Sequence, residues 1–95
     1  MLTPAQIADD ARPRFARGVR LQVDSNTGRP VLLYPEGIVE LNETAQEILT
    51  HCSGVTVAEI AFELNEQYEA DVATIALEIR EILADLHQRQ LIEFA

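Results

Sequence analysis

Few residues in this chain are suited to chemistry. Its one Cys, Cys52, follows His51, and a thiol beside an imidazole is a pairing used for nucleophilic catalysis. Adjacent helix positions, however, point about 100° apart. Cys52 shares the apolar spacing of Ala45, Ile48 and Leu49 and reads as a buried structural thiol. His51 falls off that face, near a helix end where partial positive charge is favoured, and His87 reads the same way late in the third helical stretch. Two separated His and one buried Cys make neither a triad nor a metal site. Glu59, Glu63 and Glu66 share a helical face, as Glu78 and Asp85 nearly do, and a solvated acidic face accounts for them. No EF-hand loop, Gly-x-Gly-x-x-Gly or Walker sequence occurs. The expectation is a non-enzyme with no cofactor and no metal.

Charge narrows the partners. The 95 residues carry 16 acids and 7 bases, for a net charge of −9. Phosphate backbones and anionic membranes repel such a surface, so neither nucleic acid nor membrane is expected as a partner. The balance is uneven: residues 1–30 sum to +2 and residues 31–95 to −11, a basic lead on an acidic body. A single Cys precludes an internal disulfide and fits a reducing, cytoplasmic setting. The first ten residues lack the basic start and apolar run of a signal peptide. Asp24-Ser25 runs into Asn26-Thr27-Gly28, which is turn chemistry rather than the helix start at which acyl carriers bear their modified serine.

The elements that must position any site follow from periodicity. Residues 1–13 have none and read as a flexible N-terminal arm; residues 14–95 read as a single domain. Between Arg17 and Asp24, Val19, Leu21 and Val23 alternate with Arg20 and Gln22, the mark of a strand with one wet face. A turn over Asp24–Pro30 leads to Val31-Leu32-Leu33-Tyr34. Pro35-Glu36-Gly37, with Gly placed for a positive φ, leads to a third strand, Ile38-Val39-Glu40-Leu41. The period then becomes helical. Asn42 caps a helix that Ser53-Gly54 ends; Thr56 and Glu59 form a capping box for a helix facing inward through Ile60, Ala61, Leu64 and Tyr68. Asp71 caps a longer helix with the stripe Val72, Ile75, Ala76, Ile79, Ile82, Leu83 and Leu86. Leu91–Phe94 reads as an extended tail. The predicted class is α+β: a three-stranded antiparallel sheet followed by three helices, like a winged helix-turn-helix with its hairpin first.

A winged helix suggests DNA, but the helix that would enter the groove bears Glu59, Glu63 and Glu66 and no base. An acidic winged-helix transcription regulator is the alternative from that class, and duplex binding with a steep salt slope would mark it. Polypeptide recognition fits better. A small sheet has edges that template an added strand, and a groove between the third strand and the third helix would take an extended peptide. The same residues can equally fill the core. Exposed edges also permit either a monomer or a strand-exchanged dimer.

The run Leu32-Leu33-Tyr34-Pro35-Glu36-Gly37, then Leu41-Asn42-Glu43-Thr44-Ala45, Glu47-Ile48-Leu49 and Thr56-Val57-Ala58-Glu59-Ile60, resembles protein D of pyrroloquinoline quinone (PQQ) biosynthesis, as does Arg17–Gln22. The Leu-Asn-x-Thr-Ala piece is shared by the wider class of precursor-peptide recognition domains. The chain departs from the family at Ser53-Gly54, where Asp-Gly is common. The resemblance implies a peptide chaperone that binds the ribosomal precursor peptide PqqA and presents it to the radical S-adenosylmethionine enzyme PqqE, which crosslinks a Glu and a Tyr of the peptide. A recognition domain for a different ribosomal peptide is the neighbouring alternative. In related domains the leader adds as a strand beside the third strand and packs on the third helix. Carried over, that implies peptide-binding roles for Ile38, Val39, Glu40 and Leu41 on the strand and for Ile75, Ile79, Arg80, Ile82 and Leu83 on the helix. Arg80 is included as the only base within that acidic helix, suited to a peptide carboxylate.

Overall fold

The turns identified from composition fold the chain back twice. At the first, Asp24 accepts hydrogen bonds from the Asn26 amide through its side chain (2.8 Å) and from the Gly28 amide through its carbonyl (2.7 Å). Gly28 sits at φ +72°, which a side chain would resist. At the second, Tyr34 and Gly37 pair across a two-residue Pro35-Glu36 loop. Gly37 does not take the positive φ expected of it. A Cβ there would lie 3.4 Å from the Tyr34 hydroxyl oxygen, an ordinary contact.

The computed structural model describes residues 2–68 and 71–95. Its strands are β1 (Pro13–Phe15), β2 (Arg20–Val23), β3 (Pro30–Tyr34), β4 (Gly37–Glu40) and β5 (Ile92–Phe94); its α-helices are α1 (Glu43–Thr50), α2 (Val57–Gln67) and α3 (Val72–Gln88). β2, β3 and β4 form the expected antiparallel meander in that spatial order. Leu21, Leu32 and Val39 stand side by side in its register and present one face to the helices. α3 is the central helix: Ile79 and Leu83 are wholly buried, together with Leu32, Ile48, Leu49 and Ile60. The arrangement is α+β, with three helices and two antiparallel sheets. Among the described residues no helix is long and apolar enough to cross a membrane.

All three helix caps form as read. Asn42 Oδ1 accepts from the Ala45 amide at 2.8 Å, Thr56 Oγ1 from the Glu59 amide at 3.1 Å, and Asp71 Oδ1 from the Ala73 amide at 3.2 Å. Tyr68 and Val72 depart from the predicted stripes: α2 stops at Gln67, and both side chains are exposed.

The second sheet was not expected. β1 pairs with β5, so the tail closes on the lead. Ala16 donates to Leu91 O and Ala95 to Arg12 O, at 3.0 and 2.9 Å. Arg14 and Glu93, opposite one another in the register, form a 3.0 Å ion pair. Three-residue strands are too short to show period two, and their partners lie at opposite ends of the chain.

Of the flexible arm read over residues 1–13, Met1 lies outside the described residues, Pro13 opens β1, and residues 2–12 pack on the domain. A 3-10 helix, Pro4–Gln6, leads to Ile7, which is buried in the core. The lead also completes α2. Ala11 O accepts the Val57 amide at 2.9 Å and Asp9 O the Ala58 amide at 3.0 Å. With the Thr56 cap, the first three amides of that helix are satisfied. Backbone carbonyls do this work, so no side-chain pattern announces it.

Candidate functional site

β4 is an edge of the meander, with β3 on one side. Leu41 donates its amide to Pro30 O at 3.0 Å, and antiparallel pairs alternate between hydrogen-bonded and non-hydrogen-bonded. In this register Val39 and Gly37 therefore bond to β3, opposite Leu32 and Tyr34. The amides and carbonyls of Ile38 and Glu40 point to the open edge. Beside that edge lies a groove of about 280 Å³ between β4 and α3. Its apolar wall is Val39, Leu41, Ala45, Ile82 and Leu86, and its rim is Glu40, Asn42, Glu81, Asp85 and Arg89. An unpaired strand edge next to an apolar trough can take an added strand by backbone pairing and seat alternate side chains.

The nine residues marked in the sequence divide into four groups, the last of them Arg80 alone. Val39, Glu40, Leu41 and Ile82 meet in the groove. Ile38 borders the same edge, but its side chain is 58% exposed and points away from the helices, since period two puts it opposite to Val39. Ile79 and Leu83 lie fully buried beneath, as core, and Ile75 is buried farther along α3.

Arg80 is corrected. Its Nε donates to Ile7 O at 3.0 Å, its Nη1 to Ala76 O at 3.3 Å, and its Nη2 pairs with Asp9. The guanidinium fastens the lead to α3, on the flank away from β4. Two positions separate Arg80 from Ile82, a turn of about 200° around the helix, so the two could not share a face. The cation at the groove is Arg89, paired to Asp85 at 3.4 Å. Its spacing from Ile82 and Leu86, seven and three positions, is the signal that would have found it.

The Cys–His pair is likewise resolved. Cys52 is buried, its Sγ donating to Ile48 O at 3.5 Å. His51 Nδ1 lies 2.9 Å from Glu63 Oε2, so His51 joins α1 to α2 instead of standing solvated. Burial pushes the Cys52 thiol from 9.0 up to about 12. Native protein at pH 8 is expected to react with an aromatic disulfide reagent only as fast as it unfolds. The unfolded thiol ionises near 9.0 and the folded one near 12, so the stabilising effect of the buried thiol holds below pH 9 and fades as pH rises toward 12. A fast thiol burst in native protein would contradict this. Among the described residues no cluster of three His, Cys, Asp or Glu is placed to hold a metal ion.

The chain matches the family model described as "Coenzyme PQQ synthesis protein D (PqqD)" over residues 30–92. It is 39% identical over 87 residues to the PqqA binding protein of Xanthomonas axonopodis pv. citri, covering 90% of this chain and 95% of that one. It is 37% identical to the bifunctional coenzyme PQQ synthesis protein C/D of Methylorubrum extorquens, spanning 95% of this chain and 24% of that longer protein. The solution structure of the PqqD truncation of Methylobacterium extorquens PqqCD, described as a functional, stand-alone recognition element for ribosomally synthesised and modified peptides, superposes with a TM-score of 0.80. That pair is 37% identical and covers 97% of this chain and 99% of the other. By the extent of these matches the chain belongs to the PqqD family.

Proposed function

We propose that this protein is a non-catalytic, cytoplasmic peptide chaperone of PQQ biosynthesis. It captures the precursor peptide PqqA as an added strand on β4 and presents it to the radical S-adenosylmethionine enzyme PqqE. The observation that carries the reading is the open β4 edge beside the β4–α3 groove. Ile38 and Glu40 supply backbone partners, while Val39, Leu41 and Ile82 receive side chains. The names of relatives, PqqA binding protein among them, point the same way. The α2–α3 pair with its neighbouring hairpin gives a winged-helix-like frame, but Glu59, Glu63 and Glu66 are exposed on α2 and oppose a phosphate backbone.

Calorimetric titration with synthetic PqqA tests the reading, with a scrambled peptide as control. Saturable one-to-one heat for PqqA alone is expected. Absence of binding both with and without PqqE would overturn the assignment, as would tighter binding to duplex DNA than to the peptide. Sedimentation in the same buffer distinguishes a monomer that accepts the strand from a dimer that already exchanges it.

A further inference from the structure

The β4–α3 groove does not end at β4. Beyond Asn42 a shallow channel of about 200 Å³ passes between Thr44 and the α3 residues Glu78, Glu81 and Ile82. Next to it lies a notch of about 180 Å³ where α1, α2 and α3 meet. The notch is floored by Ile48, Leu64 and Ile75 and rimmed by Glu47, Glu78 and Tyr68. Ile82, Glu81 and Asn42 line both groove and channel, and Thr44 and Glu78 line both channel and notch, so the three adjoin one another in a row along α3. Among the described residues, no hydrogen bond or ion pair engages the carboxylates of Glu47, Glu78 or Glu81. An apolar socket with two unpaired carboxylates, Glu47 and Glu78, on its rim suits a bulky apolar side chain flanked by a cation.

We infer that the Glu47–Glu78 notch is a second subsite for the captured peptide, receiving an apolar anchor next to a Lys or Arg after the strand has left β4. This rests on the strand-addition reading and extends it. At about 1.5 Å per helical residue the stretch of α3 from Arg89 back to Ile75 is roughly 21 Å, the reach of six or seven residues of extended peptide at about 3.3 Å each. Recognition is therefore in two parts: a backbone-read strand on β4 and a side-chain-read anchor beyond it. The second part selects a peptide by its basic and apolar residues, which strand pairing alone does not.

The test is titration of synthetic PqqA into the wild-type chain and two charge-reversed variants, at two salt concentrations. Glu47→Lys/Glu78→Lys alters the notch and leaves the β4–α3 groove untouched. Asp10→Lys/Glu66→Lys makes the same change in net charge at exposed positions outside the path. The notch variant is expected to bind at least tenfold more weakly, with a flatter salt dependence, while the control stays within threefold. Amide shifts on peptide addition to labelled wild type are expected at Thr44 and Tyr68 as well as at Val39. Equal effects of the two variants, or shifts confined to β4 and its neighbours, would overturn the notch and leave the β4 reading standing. Failure of the wild type to bind would overturn both. A change in oligomeric state of the notch variant with unchanged peptide affinity would assign the notch to a second copy of the chain and overturn the inference.

Discussion

With β4 as the edge that takes the peptide, Glu40→Pro is expected to weaken PqqA binding at least thirtyfold while leaving the domain folded. The argument is one of hydrogen-bond direction. In the β3–β4 register the Glu40 amide points away from β3, so proline there removes no bond of the native ladder. Proline is tolerated on an edge strand whose amide faces solvent, and the preceding Val39 is already in a strand, the conformation proline requires before it. The folded state should lose about 1 kcal/mol or less, a fall in Tm of roughly 4–8 °C at most for a chain this size. The incoming strand loses more. It loses the Glu40 donor, worth about 0.5–1.5 kcal/mol by itself. It also meets the pyrrolidine ring where its backbone must lie, which disrupts the neighbouring pair as well. A weakening of at least thirtyfold is expected by calorimetry, with circular dichroism and Tm as the folding check. Val39→Pro is the counterpart. It deletes a bond within the β3–β4 ladder, and its effect should appear first in stability. Unchanged peptide affinity in a folded Glu40→Pro protein would rule out strand addition at this edge and move the site elsewhere.

The strength of that design follows from which parts of the molecule are legible in sequence. The meander was readable because Val19, Leu21 and Val23 alternate with Arg20 and Gln22, and because Asp24–Pro30 and Pro35–Gly37 are turn chemistry. The helix starts were readable because Asn42, Thr56 and Asp71 can each accept a backbone amide. The β1–β5 pairing and the packing of the lead on α2 and α3 were not. Both depend on backbone groups of residues 70 or more positions apart or on carbonyls that any residue supplies. Within the groove, Val39, Leu41 and Ile82 follow from period two and period 3.6. Arg80 stands out in the sequence as a rare base, yet its angular position takes it off the groove; Arg89 has the angular position and lies at the groove. The notch around Glu47 and Glu78 lay hidden because its walls come from three helices, and no single stripe contains them.

Ile79 shows why helix stripes overstate a binding surface, and its truncation carries the largest stability effect expected here. It sits at the centre of the α3 stripe, and the resemblance gave it a peptide-binding role. The structure places it at 0% exposure, in the same cluster as Leu32, Ile48, Ile60 and Leu83. Ile79→Ala removes three carbons from a site walled by a sheet and three helices, which can collapse only partly. Such truncations cost about 2–5 kcal/mol, and for a side chain with no exposure at the centre of the core the upper half of that range applies. A drop in Tm of at least 12 °C is expected. That is a large fraction of the stability of a chain of 95 residues. Ile82→Ala, one turn round the same helix and half-buried in the groove wall, should invert the pattern, with a small change in Tm and a larger loss of peptide affinity. Thermal denaturation and titration of both variants separate the two roles. If Ile79→Ala remained as stable as wild type and lost binding instead, α3 would have to turn Ile79 outward, and the groove would be built on a different face of that helix.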